Sequence, residues 1–318
     1  MGSVAIDASV PSCPEWHVAD LIRHVGMFHR FITNLARLAD GAVAGPECWT
    51  AAVDEVNSLA PDADLVTWFH AGGNQLVTAL QNAPAGTTIQ SFYGKHQPSL
   101  LVRRSATETA IHRWDVEGAS GTSGPLNPAL SAEGIDEFLD LLMPLFFRYA
   151  DFAGRGEVIR LQPTDDVGGA WMITMDADTT NWSRQVEDAP ADAAVRASLN
   201  NLYLFFLGRH TDESMQVTGD TAMLSEGRRV LAPLVSPRLL TCGRKNRQPS
   251  TTSVIDRRIT DGIAMTRRCR SVRPPTSAGW VVRYAPSGAV FIVGCQDSSR
   301  PTGAPSLTGR VRGTAVLR

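Results

Sequence analysis

Long apolar runs are missing from this 318-residue chain. No stretch approaches the roughly 18–20 consecutive apolar residues that a bilayer span needs. The segment MGSVAIDASVPSCPEW also lacks the basic-then-apolar pattern of a secretory signal, so a cytoplasmic protein that engages no membrane is expected. Cysteine is scarce: Cys13, Cys48, Cys242, Cys269 and Cys295 are widely spaced and form no C-x-x-C pair, which speaks against both a disulfide framework and a structural zinc knuckle. Lysine is nearly absent, with Lys95 and Lys245 the sole lysines among 30 basic residues, an arginine bias that fits a GC-rich coding source. Acidic residues almost vanish beyond Val235. Asp256, Asp261 and Asp297 are the only acids there, against 15 of the 30 basic residues, so the formal charge of −2 combines an acidic segment of −14 with a basic one of +12. What is present, 43% hydrophobic and 19% charged residues, is ordinary globular composition and excludes a wholly disordered or fibrous chain.

From His17 to Ala39, Val18, Leu21, Val25, Phe28, Ile32 and Leu35 recur at intervals of three and four, one face of a helix with Pro14 just ahead of it. Further helical patterns cover Trp49–Leu59, a segment after a capping Asp62 that contains Gly72 and Gly73, and Ser99–Ala119. GTSGPLNP then breaks the chain. Four helices on short and medium connections predict a four-helix bundle over residues 10–120. Beyond the break, a helix near Ser131–Tyr149, strands at Glu157–Gln162 and Ala170–Asp176, a helix at Asp192–Gly208, a strand at Met215–Thr218 and a helix near Thr221–Leu234 predict a small α+β domain over 130–234. Residues 235–318 have no helical period and are expected to be largely disordered, apart from one strand-like pair, Trp280–Tyr284 and Ala289–Val293. A nucleic-acid partner is not expected, because base-stacking aromatics are sparse in this basic tail. The tail has the composition that out-of-frame reading of a GC-rich gene would give.

Glu108 and His112, four apart in RRSATETAIHRWDVEGA, project from one helix face about a turn apart and could share a metal ion. The same spacing also suits a solvated face or a hydrogen-bonded couple. His24 flanks the apolar stripe of the first helix and could face the fourth helix, or be an ordinary hydrogen-bonded core histidine.

The segments VPSCPEWHVADLIRHVGMFHRFI, RRSATETAIHRWDVEGA and LNNLYLFFLGRHTDESMQVTGD together resemble the signature regions of the mycothiol-dependent maleylpyruvate isomerase family, a likeness that spans roughly residues 10–234. The resemblance implies a DinB-like metal-binding bundle followed by an α+β domain of sterol-carrier-like topology. It implies metal ligands at His24, Glu108 and His112, three protein donors that leave an open position as catalytic zinc sites do. It implies a catalytic arginine at Arg209, whose guanidinium could clamp a dicarboxylate; a helix C-terminal arginine satisfying carbonyls is the plain alternative. Asp115 also matches the family pattern and could orient His112 or pair with an arginine. Thr107 departs from it, standing where the family often has histidine.

The implied cofactors are mycothiol and a divalent metal, zinc by preference, although two imidazoles and a carboxylate also suit iron, nickel or manganese. The implied reaction is thiol addition to a small electrophile or dicarboxylate, as in cis-trans isomerisation of maleylpyruvate. Mycothiol S-transfer to other electrophiles is the nearest alternative, and a non-catalytic metal- or lipid-binding protein is the alternative of a different class.

Overall fold

In a computed structural model, His17 donates its backbone N–H to Asp20 Oδ2 at 3.1 Å, and helix α1 (Val18–Ala36) starts there, not at Pro14. Pro14 instead lies in a strand. Ser9–Val10 (β1) and Cys13–His17 (β2) form an antiparallel hairpin that the sequence reading did not foresee. The structure describes residues 4–60, 64–144, 154–165, 169–177, 179–185, 189–209, 215–220 and 224, together with the strands at 280–284, 290–294 and 315–317. It divides into two compact units, one of residues 25–110 and 262–318, the other of residues 1–24 and 111–261. No helix among the described residues is long and apolar enough to cross a membrane.

In the first unit, α1 continues beside α2 (Glu47–Asn57), α3 (Leu65–Asn82), the hairpin β3 (Ile89–Ser91) and β4 (Gly94–His96), and the start of α4 (Pro98–Ala119). The three-and-four spacing of α1 is realised as burial. Phe28, Phe31, Ile32 and Leu35 join Val53, Leu76, Ile89 and Leu101 in one apolar cluster, and each such side chain contributes roughly 1.5–3 kcal/mol of burial free energy. The cap of α3 is Asp64, which accepts from Thr67 N at 3.0 Å, and Asp62 lies outside the described residues. Gly72 does not break α3. A Cβ there would sit 2.1 Å from Arg30 Nη1, so the glycine makes room for a buried guanidinium. That guanidinium donates to Gly26 O and Trp68 O, pairs with Glu55 and stacks 3.7 Å from the Trp68 ring centroid. In the tail, β10 (Trp280–Tyr284) pairs antiparallel with β11 (Val290–Gly294) as the sequence pair predicts, and β11 pairs also with β12 (Ala315–Leu317). The disorder expected elsewhere in the tail falls outside the described residues.

In the second unit, α5 (Pro128–Glu137) runs from an Asn127 cap into a π-helical turn, Phe138–Leu142. A five-stranded sheet follows in the order β7-β6-β5-β8-β9, made of Thr180–Gln185, Ala170–Met175, Glu157–Pro163, Ala193–Ala197 and Gln216–Gly219. Only the β5–β8 pairing is parallel. The helix expected over Asp192–Gly208 is corrected here. Ala193, Val195 and Ala197 are buried while Arg196 points to solvent, a period of two that joins the ladder of β5. Helix α6 (Leu199–Phe206) begins only after Ser198, which caps it by accepting from Asn201 N. It packs on α5 closely enough that a Cβ at Gly134 would fall 2.3 Å from the Tyr203 ring. Of the helix expected near Thr221–Leu234, only Leu224 is described.

Candidate metal centre

Helix geometry brings Glu108 and His112 onto one face of α4, and α1 supplies His24. All three are 4–6% exposed, and one ligand atom from each lies within 4.8 Å of the others, so the three could hold a metal ion. The His24 and His112 rings meet edge to face, their centroids 4.8 Å apart at 80°. Trp16, from β2, tilts against His24 at 5.1 Å. Two imidazoles and a carboxylate are a donor set that divalent ions accept, with coordination positions left for other ligands.

Each of the α4 donors is held by a neighbour. Glu108 forms a close ion pair with Arg104, one turn earlier, itself nearly buried over the Phe28 ring. His112 Nδ1 lies 2.8 Å from Asp115 Oδ2. Donation from Nδ1–H to that carboxylate puts the imidazole lone pair on Nε2, the tautomer a metal ligand needs.

Asp115 has no solvent exposure and collects four hydrogen bonds. Besides His112, its Oδ1 accepts from Ser12 Oγ at 2.6 Å and from Arg209 Nε at 3.1 Å, and its Oδ2 accepts from Arg209 Nη2 at 2.6 Å. Burial alone would raise this carboxyl, but the charge of Arg209 and the donors around it hold it well below the usual carboxylate range. Both roles left open for Asp115 are therefore realised in one residue. Arg209 follows α6 and is buried too; its Nη1 donates to Leu207 O at 2.8 Å, the carbonyl-satisfying role of a helix-terminal arginine, while its other face grips Asp115. Cys13, beside this group, is raised to about 11 by burial and by the Asp115 charge, against the opposing effects of Arg209 and Ser12, and is a packed thiol.

Sequence reasoning did not single out Ser12, Trp16 or Arg104. Arg104 was readable, because it precedes Glu108 by one helical turn. Ser12 carries no local signal, since its partner is 103 residues away.

Residues 3–117 match the family model described as the mycothiol maleylpyruvate isomerase N-terminal domain. Two solved structures, of the mycothiol-dependent maleylpyruvate isomerase and of a mutant of it, are similar at 15% and 14% identity, each over 68% of this chain and 84% of that chain with a TM-score of 0.47. No curated protein matches the chain. The match over residues 3–117 takes in His24, Glu108 and His112.

Proposed function

We propose that this protein is a mycothiol-dependent, metal-assisted thiol-addition enzyme, acting as a maleylpyruvate isomerase-like cis-trans isomerase. The single observation that carries the reading is the convergence of His24, Glu108 and His112 within the matched domain. The same reading assigns α1–α4 to a DinB-like four-helix bundle over residues 10–120, and the five-stranded sheet with α5 and α6 to a sterol-carrier-like domain over 130–234.

His24, Glu108 and His112 would hold a divalent ion, zinc by preference. When bound, the ion supplies the Lewis acidity that turns a thiol into a thiolate near neutral pH, and mycothiol supplies that thiol for reversible addition to a cis double bond. The protein's own work is to orient and to neutralise. Asp115 keeps His112 in the Nε2-donating tautomer, and Arg104 fixes the Glu108 carboxylate. Both carboxylates are matched by a guanidinium, Glu108 by Arg104 and Asp115 by Arg209. A dication added to such a set leaves net positive charge to attract an anionic thiolate and a dicarboxylate substrate. Arg209 serves the reaction by its charge and by its hold on Asp115, and no cysteine nucleophile is required, in keeping with the packed Cys13.

The test is the metal content of the purified chain and of His24→Ala, followed by turnover with maleylpyruvate and a model electrophile. One zinc per chain, lost in the variant together with isomerisation, is the expected result. Conjugate formation without isomerisation would favour mycothiol S-transfer, and stoichiometric metal without turnover of any electrophile would leave a non-catalytic metal-binding protein.

A further inference from the structure

The β1–β2 hairpin reaches both imidazoles of the candidate centre, through two different side chains. Its two-residue turn, Pro11–Ser12, brings the Ser12 hydroxyl to Asp115 Oδ1 at 2.6 Å, and the other oxygen of that carboxylate receives His112 Nδ1 at 2.8 Å. Four residues past the turn, the buried Trp16 packs its ring on His24, which also meets the ring of His112 edge to face. The hairpin is itself anchored. Val10, Cys13 and Trp16 are buried, and the backbone N–H groups of Val18 and Ala19 donate to Ala8 O at 2.9 Å and Ile6 O at 2.7 Å, tying the segment to the first turn of α1.

We propose that this N-terminal hairpin is a positioning element of the metal centre, with Ser12 setting His112 through Asp115 and Trp16 setting His24 directly. The inference rests on the metal-site reading above. Its physical basis is the way the Asp115 carboxylate is held. Arg209 donates to both oxygens, and the short hydroxyl-to-carboxylate bond from Ser12 adds a second donor on Oδ1. Without it, Oδ1 keeps a single guanidinium N–H, the carboxylate gains freedom to turn about its terminal bond, and the acceptor for His112 Nδ1–H is no longer fixed. Ligand orientation of this indirect kind is worth roughly 10–100-fold in metal affinity when removed.

The experiment is zinc binding by the full chain in competition with a chromophoric chelator, alongside melting of the metal-free protein. Ser12→Ala is expected to weaken zinc by about tenfold, the lower end of that range, while Ser12→Thr, which keeps the hydroxyl, restores parental affinity. Parental affinity in Ser12→Ala, or an equal loss in Ser12→Thr, overturns the hairpin proposal alone. A parent chain that binds no zinc defeats the metal-site reading and the hairpin role with it. Were Ser12→Ala to lose cooperative melting, Ser12→Gly, suited to a turn, carries the same expectation.

Discussion

Arg209 grips both oxygens of Asp115 across 94 residues of sequence, Nε on Oδ1 at 3.1 Å and Nη2 on Oδ2 at 2.6 Å, with the carboxylate wholly buried. The pair links the residue that follows α6 to the last turns of α4, and through Asp115 it reaches His112. In the proposed function, an arginine so engaged would act on the centre through its partner.

Removing one member of a buried pair strands the other charge, which costs about 3–5 kcal/mol. Arg209→Ala is therefore expected to destabilise the protein by about that amount in urea unfolding. Adding Asp115→Asn to it removes the stranded carboxylate, so the double variant should be more stable than Arg209→Ala alone. A double variant less stable than the single one contradicts this view of the pair.

The two glycines of α3 should respond in opposite ways. Gly72→Ala drives a methyl into Arg30, whose guanidinium is fixed by Gly26 O, Trp68 O and Glu55, and a loss of about 1–3 kcal/mol is expected. Gly73→Ala meets only His29 at 3.7 Å, an ordinary contact, and should stabilise by about 0.5–1 kcal/mol through helix propensity. Thermal melting of the two variants decides, and equal melting temperatures would contradict the packing argument.

Cys13 should resist alkylation. With its thiol at about 11 against an ordinary 9.0, its thiolate fraction at pH 8 is about a hundredfold below that of an unperturbed cysteine. Peptide-resolved labelling with iodoacetamide at pH 8 should find Cys13 protected in the folded chain and reactive once unfolded. Because the folded value is the higher one, the stability linked to this proton is fully present below pH 9 and is lost as pH rises towards 11. Rapid labelling of the folded protein at pH 8 would refute the assignment.

Much of this was legible in the sequence, for physical reasons that differ from element to element. The three-and-four spacing of α1 and the run of Trp171, Ile173 and Met175 both mark elements that formed as expected, although in the strand Ala170 and Met172 are buried as well as the alternating residues. Asp192–Gly208 misled because small and apolar residues in Ala193–Ala197 suit a helix as well as a strand; the parallel partner β5, thirty-odd residues earlier, decides between them. The Asp115–His112 bond was readable from a spacing of three on one helix. The contacts of Ser12, and the grip of Arg209 on Asp115, join residues about a hundred positions apart, and no periodicity encodes them.

Mycothiol dependence tests the central claim most directly. The purified, zinc-loaded chain should convert maleylpyruvate to its trans isomer when mycothiol is present and show no conversion when it is omitted, and His24→Ala should be inactive under both conditions. Equal turnover without mycothiol, or undiminished turnover in His24→Ala, would contradict the account.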